Sequence, residues 1–303
     1  MGRVYVEQGR NEVGTTIKIL EKAKPKLRGK ILIKPNITMP FSPENNICTS
    51  PKVVEGIIKY LRLRGIDDIV VGEGAGGAKS MSKHFEISGY KDLSERLNIS
   101  LINLNQDKQI KLKITKGNFL KEVTVAKTFF DRYTINVPKM KTHRMAVVSL
   151  AMKNLMGVIL PYNKKSVLHP LYENYAKIAI HERRALSQEE FKSVQDDFFN
   201  RLIDFYSVCK PNLNIVDGFG GREGDGLTLE WGKNKNMNCV LLSESVPSID
   251  YVASLLMEID PSKTYLNHIK KFDVSKIKII SNKDINELKE KFKPVLLTEE
   301  IKI

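Results

Sequence analysis

Cysteine is scarce in this chain: its 303 residues include three, Cys48, Cys209 and Cys239, and these lie far apart. No CxxC pair is present, so the sequence has neither a zinc-ribbon motif nor a ferredoxin-type cluster motif. An odd number of widely spaced cysteines also argues against a disulfide framework. We therefore expect three free thiols in a reducing compartment and no iron–sulfur cluster.

Long apolar runs are also missing. No apolar stretch approaches the ~20 residues that a transmembrane helix needs. The first residues, MGRVYVEQGRNEV, lack the apolar core of a signal peptide. We therefore expect no membrane partner and a cytoplasmic location. The apolar share of 42% and the charged share of 28% are ordinary for a globular protein, so the chain can bury a full core.

Acidic residues are outnumbered, and the formal net charge is +14. Residues 121–170 alone hold nine Lys and Arg against two Asp and Glu, so the charge is concentrated there. A balance of this kind permits nucleic-acid binding. However, the sequence contains no zinc finger and no RNP motif, and a lysine-rich solvated surface explains most of the charge equally well. Nucleic acid is therefore a possible partner that the sequence does not favour.

A β–α–β unit is predicted near the amino terminus. The apolar segment Lys30–Lys34 is a strand, and a second strand is predicted over Asp68–Gly72. Between them lies a helix that Ser50 caps, that Pro51 begins and that Gly65 ends. Two strands joined by a helix in this way pair in parallel.

Alternating strands and helices continue to the end of the chain. Further strands are predicted at 100–103, 133–137, 213–216 and 237–242, a hairpin at 109–126, and a mostly helical stretch at 171–206. The pattern predicts an α/β fold with a mixed, mostly parallel sheet and helices on both faces. The chain is either a single unit over 1–303 or two lobes, 1–145 and 146–303, with the site between them.

Four predicted strands end in segments of unusual composition. These segments are KPN at 34–36, GEGAGG at 72–77, PKMKTH at 138–143 and DGFGGREGDG at 217–226. We interpret all four as loops, the third of them basic and exposed to solvent. Because parallel strands end at the same edge of a sheet, the four loops are expected to meet where open α/β proteins bind ligands.

Taken together, the motifs resemble the domain-of-unknown-function 362 (DUF362) family. They are KPN followed by TSP, then GEGAGG, NVPKMKTH, LAMKNLMGV, IVDG with EGDG, and SIDYVAS. The resemblance covers almost the whole chain and implies no established activity. Many relatives look like iron–sulfur proteins with an added ferredoxin module, whereas this chain lacks the cysteines and resembles a member without that module. Leu227 stands where the family usually has proline.

Basic and amide side chains at these strand ends predict an anion site. Histidine suits proton transfer because its unperturbed pKa is about 6.5. The predicted catalytic residues are His143, Lys141 and Lys153. The predicted anion-binding residues are Lys34, Asn36, Lys139, Asn154, Gly74 and Gly76. For the lysines, the alternative is a solvated basic loop or a helix edge with the lysine stem along the core.

Carboxylates in the glycine-rich segments predict a divalent-cation site. Asp217 and Glu223 would supply hard oxygen ligands to Mg²⁺ or Ca²⁺, with Glu73 as a further candidate. The spacing is not that of an EF-hand, and solvated carboxylates in a flexible loop are the alternative. The identity of any cofactor stays open.

The function that these residues favour is an enzyme or ligand-binding protein for a small carboxylate or phosphate metabolite. Proton transfer next to a carboxylate, as in isomerases and lyases, is the expected chemistry. A non-catalytic protein that handles a cofactor or metal centre is the first alternative. Nucleic-acid binding through the basic edge is the second.

Overall fold

The computed structural model describes residues 2–161, 165–171, 185–226 and 228–296, and all structural statements concern these residues. The strands are β1 Gly2–Gln8, β2 Ile31–Pro35, β3 Ile69–Glu73, β4 Ser100–Asn103, β5 Gln109–Lys113, β6 Glu122–Ala126, β7 Tyr133–Val137, β8 Lys139–His143, β9 Val147–Ser149, β10 Ile159–Leu160, β11 Leu213–Gly224, β12 Gly232–Lys235, β13 Cys239–Ser243 and β14 Ile277–Ser281. The helices are α1 Glu12–Ala23, α2 Pro51–Leu63, α3 Ser82–Ile87, α4 Tyr90–Leu97, α5 Thr128–Asp131, α6 Ala151–Asn154, α7 Lys165–Leu168, α8 Gln188–Val208 and α9 Val246–Leu256. None of these described helices combines the length and the apolarity that crossing a membrane requires.

Eleven of the described strands form one mixed sheet. Its main path runs β14–β1–β13–β11–β7–β2–β3–β4; β8 and β12 also pair with β11, and β9 pairs with β8. The neighbours from β11 through β7, β2 and β3 to β4 are parallel, whereas β13 is antiparallel to both β1 and β11. Strands from residues 1–145 and from residues 146–303 thus pair within the same sheet. A smaller antiparallel sheet contains β5, β6 and β10.

Helices cover both faces of the large sheet because side chains alternate along each strand. In β2, Ile31 and Ile33 belong to a core shared with α1 and α2, whereas Leu32 belongs to the core on the other face. That second core includes side chains from α8 and α9, such as Phe198 and Ile249. The predicted α/β class, with a mostly parallel sheet and helices on both faces, is confirmed.

The predicted β–α–β unit is present in β2, α2 and β3. Ser50 precedes α2 and its hydroxyl accepts a hydrogen bond from the Lys52 amide at 3.3 Å, while Pro51 is the first helical residue. The two strands pair in parallel, with Ile31 opposite Ile69. Local capping signals and apolar periodicity were therefore sufficient to predict this unit. Part of the predicted helical stretch, 172–184, lies outside the described residues, as does Leu227.

Two segments that we predicted to be loops are strands. PKMKTH contains β8, which pairs with β9, and most of DGFGGREGDG belongs to β11, which continues to Gly224. β8 runs parallel to β11, with Lys139 opposite Asp217 and Lys141 opposite Arg222. Backbone pairing and an ion pair between these strands allow polar residues to form buried strands. Lys141 is consequently buried, and the predicted exposed basic loop is wrong.

Candidate functional site

A cavity of about 220 Å³ lies at the carboxyl edge of the parallel strands. Segments that end or follow β2, β3, β8 and β11 form its walls together with α6. Its lining includes Asn36, Glu73, His143, Lys153, Asn154 and Asp225. The volume is far larger than the ~30 Å³ that one water occupies in the liquid. Each of the four segments predicted to meet contributes to this lining, through Asn36, through Glu73 and the residues after it, through His143 and through Asp225.

One wall rests on a buried ion pair between Lys34 and Glu73. The Lys34 ammonium lies 2.9 Å from Glu73 Oε1, and the two side chains are 0% and 3% exposed. Glu73 also accepts hydrogen bonds from the amides of Ile37, at 3.2 Å, and Gly74, at 2.7 Å. Burial lowers the pKa of Lys34, and the attraction of Glu73 offsets part of that effect. Glu73 faces the cavity. Lys34 therefore affects the cavity indirectly, by holding the Glu73 carboxylate in place.

Four asparagines form a hydrogen-bonded chain that ends at the cavity. The Asn214 amide group donates to the Ser243 carbonyl at 3.2 Å, and Asn136 donates to Asn214 Oδ1 at 3.0 Å. Asn154 donates to Asn136 Oδ1 at 2.8 Å, and Asn36 donates to Asn154 Oδ1 at 3.1 Å. Since a backbone carbonyl only accepts, the Ser243 end fixes the orientation of every amide in the chain. Asn36 and Asn154 are therefore held rigidly in the lining.

The motif SIDYVAS holds the short helix α6, which carries Lys153 and Asn154. Asp250, which is fully buried, accepts hydrogen bonds from the amides of Ala151, at 2.7 Å, and Met152, at 2.9 Å. It also accepts one from the Tyr265 hydroxyl at 2.7 Å. Burial raises the pKa of Asp250 to about 7, although these three donors oppose the shift. A residue far along the chain thus positions the predicted site helix.

Another part of the lining carries cationic and imidazole groups. Lys153 and Arg144 are partly exposed, and His169 is 6% exposed. The His169 ring stacks on Phe198 with centroids 4.3 Å apart, and the Lys153 ammonium lies 5.9 Å from the centroid of the same ring. Phe198 therefore supports two cavity-lining groups through stacking and cation–π contact.

His143 ends β8 and contributes its ring to the same wall. Its Nδ1 atom accepts hydrogen bonds from the amides of Met145, at 3.1 Å, and Ala146, at 3.2 Å. Loss of hydration lowers the pKa of His143 well below its usual range, and nearby Lys153 lowers it further. The imidazole is therefore neutral near pH 7.

Among the described residues, Lys34, Lys139, Lys141 and Asp217 lie outside the cavity lining. Lys139 is buried and its ammonium lies 3.0 Å from Asp217 Oδ2. The same oxygen accepts a hydrogen bond from the Ser50 amide at 2.8 Å, which ties β11 to the start of α2. The expectation that Lys34, Lys141, Lys153 and Asp217 would line one cavity holds for Lys153 alone, because the other three are engaged inside the fold.

Lys141 is fully buried and donates to the Ile47 carbonyl at 2.8 Å. Desolvation lowers its pKa to about 8, while interaction with Cys48 and Asp225 opposes the shift and Lys139 and Arg222 add to it. A lysine in this position contributes to the electrostatic environment of the site without contact with a cavity ligand.

The three candidate metal ligands are not brought together. Asp217 is paired with Lys139, and Glu73 with Lys34. Glu223 accepts from the Lys293 amide at 3.0 Å. No group of three or more His, Cys, Asp or Glu in the described part of the chain is arranged to hold a metal ion. The predicted divalent-cation site is therefore not formed by these carboxylates.

The glycine-rich segment after β3 lines the cavity with Gly74, Ala75 and Gly76. The amide of Gly74 donates to Glu73, and that of Ala75 lies 3.3 Å from Met81 Sδ. Two of its amides are thus used within the protein, so the segment is not a backbone cradle with all its amides available to an anion. Because Gly74 and Gly76 have no side chains, the segment instead leaves room beside Glu73.

Sequence reasoning did not select several lining residues. Ser149 and Met145 carried no signal, because single polar or apolar residues of these types are common in any core. Gly157 did have one, since it belongs to the motif LAMKNLMGV. A side chain added there would collide with Glu73 Oε1 and Lys34 Nζ, so the absence of a side chain at this position allows the ion pair to pack against α6.

The sequence profile of a family described as "Domain of unknown function (DUF362)" matches residues 31–254. The match spans well over half of the chain, so the chain belongs to this family. It includes β2, β3, β8, α6 and β11, which form the cavity walls. The resemblance inferred from the motifs is confirmed, and the family description names no activity.

One curated relative is "Thylakoid-associated protein sll1697" of Synechocystis sp.. It is 23% identical over 235 residues, which cover 77% of this chain and 64% of the relative. The chain thus spans less than two thirds of that protein's length.

Proposed function

We propose that the cavity binds a small anionic metabolite, a carboxylate or phosphate compound. The observation that carries this proposal is the grouping of Lys153, Arg144, His143 and His169 in the lining of one cavity. Charge-assisted hydrogen bonds from lysine and arginine to carboxylate or phosphate oxygens are among the strongest polar contacts in proteins. A site of this composition favours an oxyanion.

The acidic side chains of the lining are compatible with this proposal. Glu73 is paired with Lys34, so its charge is compensated within the protein. Asp225 is 5% exposed and is the second carboxylate of the described lining. If the anionic group of a ligand contacts Lys153 and Arg144, a less negative part of the same molecule would lie next to Asp225.

The enzymatic form of the proposal is proton abstraction next to a carboxylate, as in isomerases and lyases. Asp225 would accept the proton, because Glu73 is already bound to a lysine. Lys153 and Arg144 would stabilise the negative charge that develops on the substrate carboxylate as the proton leaves. Lys141, which the sequence favoured for catalysis, would act only from behind the lining.

The experiment begins with mass spectrometry of small molecules that copurify with the native protein. Titration calorimetry then measures binding of succinate, malate, inorganic phosphate and sn-glycerol 3-phosphate. We expect Lys153→Met to raise the dissociation constant of the anion roughly 30-fold or more, since losing a charge-assisted contact costs ~2 kcal/mol or more of binding free energy. Lys278→Met, at an exposed lysine of the edge strand β14, is the matched control and should leave affinity unchanged.

Two outcomes contradict the proposal. One is that no anion copurifies and none of the four probes binds. The other is that Lys153→Met and Lys278→Met bind the same probe equally well.

A cytoplasmic location is part of the proposal. The name of the relative associates that protein with thylakoids, and fractionation of the cells that make this chain would test whether this chain has the same location. Recovery in the membrane fraction would contradict the cytoplasmic assignment.

A further inference from the structure

The hydrogen bonds of His143 fix which ring nitrogen carries a proton. Nδ1 accepts from two backbone amides, those of Met145 and Ala146, at 3.1 and 3.2 Å. A nitrogen that accepts two N–H groups has no proton of its own. The neutral ring therefore carries its proton on Nε2, where it is a donor.

The surroundings of the ring disfavour its protonated form. Desolvation is the main cause of the lowered pKa of His143, followed by positively charged or titratable neighbours. The groups that act on it are Lys153, His169, Lys141 and Arg144. Asp225 and Glu73 also line the cavity, but Glu73 is paired with Lys34.

We infer that His143 is a fixed hydrogen-bond donor, through Nε2–H, to an oxygen of the bound anion. It is not the general base of the site, because Nδ1 is held by the backbone and Nε2 already carries the proton, and it is not the general acid, because a neutral imidazole gives up its remaining proton only with great difficulty. The donor role rests on the proposed function, because it requires a bound anion. The tautomer of the free protein does not depend on that proposal. The donor role requires that the ligand present an unprotonated oxygen to Nε2–H.

The tautomer can be measured without a ligand. The chain contains five histidines, so selective ¹⁵N-histidine labelling gives a tractable spectrum. The signal lost in His143→Gln identifies this ring, and single variants of the other four histidines identify it by elimination if that variant does not fold. We expect the Nε2-protonated form with no titration between about pH 6 and 8. An Nδ1-protonated ring, or a ring that becomes charged in that range, overturns the inference.

The donor role is measured with inorganic phosphate and succinate by titration calorimetry. Glutamine places an amide N–H near the position of Nε2–H, whereas leucine removes the donor. We expect His143→Gln to bind within about threefold of the wild type and His143→Leu to bind at least tenfold more weakly. Equal losses in the two variants overturn the donor role, provided that thermal unfolding shows both to be folded.

The two arms separate this inference from the proposal beneath it. If no anion copurifies and none of the four probes binds the wild type, the proposed anion site is refuted, and the donor role fails with it even if the tautomer is as stated. If the probes bind but the ring has the other tautomer, the inference alone is refuted.

Discussion

Replacement of Lys34 by methionine tests the buried ion pair that supports one wall of the cavity. Lys34 and Glu73 are 0% and 3% exposed, and their charged atoms lie 2.9 Å apart. Methionine fills a similar volume without the charge. The variant leaves Glu73 with its hydrogen bonds from Ile37 and Gly74 but without a cation.

The expected loss is large because the remaining carboxylate is buried and uncompensated. Breaking a buried ion pair by removing one partner costs ~3–5 kcal/mol of unfolding free energy. The matched control is Lys30→Met, four residues earlier, where the Lys30–Asp68 pair is 3.8 Å long and the side chains are 67% and 48% exposed. An exposed pair of this kind contributes at most ~1 kcal/mol.

The assay is equilibrium unfolding in urea, with the slope of the transition required to stay constant between variants. The double variant Lys34→Met/Glu73→Gln removes the buried charge and keeps an oxygen that can accept hydrogen bonds. We expect it to be more stable than Lys34→Met alone. The reasoning is refuted if Lys34→Met loses no more stability than Lys30→Met, or if the second substitution recovers nothing.

Two further predictions concern residues beside this pair. Lys141 has a folded-state pKa of about 8 against an ordinary value of 10.5, so the folded protein binds fewer protons than the unfolded chain between these values. Its contribution to the free energy of unfolding should therefore rise with pH in that window. Urea unfolding at several pH values should show the difference in unfolding free energy between the wild type and Lys141→Met moving in favour of the wild type as the pH rises. A difference that stays constant with pH would contradict this. Gly157→Ala places a methyl group against Glu73 and Lys34 and should cost ~1–3 kcal/mol. Gly76→Ala, whose added carbon meets open space, is its control, and similar urea midpoints for the two variants would show that the packing at Gly157 is unimportant.

The elements that the sequence predicted well are those with local signals. The cap at Ser50, the proline at position 51 and the apolar face of α2 are all visible within about 15 residues, and they determine a helix between two apolar strands. The parallel pairing follows from that connection. The strand at 100–103 is also correct, because an apolar pair bounded by polar residues is a local pattern.

The segments predicted wrongly depend on partners that are distant in the sequence. β8 contains four basic or polar residues in five and resembles a solvated loop. It is a buried strand because β11 pairs with it, and the carboxylate that compensates Lys139 lies 78 residues later. No local pattern indicates that Asp217 and Lys139 meet. The same limitation applies to the asparagine chain, whose members come from two strands, a helix and the residue that follows β2.

The candidate site was predicted in part for the same reason. His143, Lys153, Asn36, Asn154, Gly74, Gly76 and Glu73 all line the cavity, whereas Lys34, Lys139 and Lys141 do not. The sequence pattern predicted that all of these residues lie at a strand end or on the helix that follows. It could not show which side chains turn toward the cavity and which turn into the core, since that depends on the register of β8 against β11.

The buried lysines change how the charge of this segment should be interpreted. From the sequence, Lys141 was predicted to be a catalytic residue on a basic loop. In the structure it is fully buried, donates to the Ile47 carbonyl and helps to keep His143 neutral. Lys34 likewise acts by holding Glu73 in the lining. Within this basic stretch Lys139 and Lys141 are engaged inside the fold, whereas Arg144 and Lys153 line the cavity. A substitution at Lys141 should consequently be assessed first by its effect on unfolding, and a loss of binding there is evidence of direct contact only if stability is unchanged.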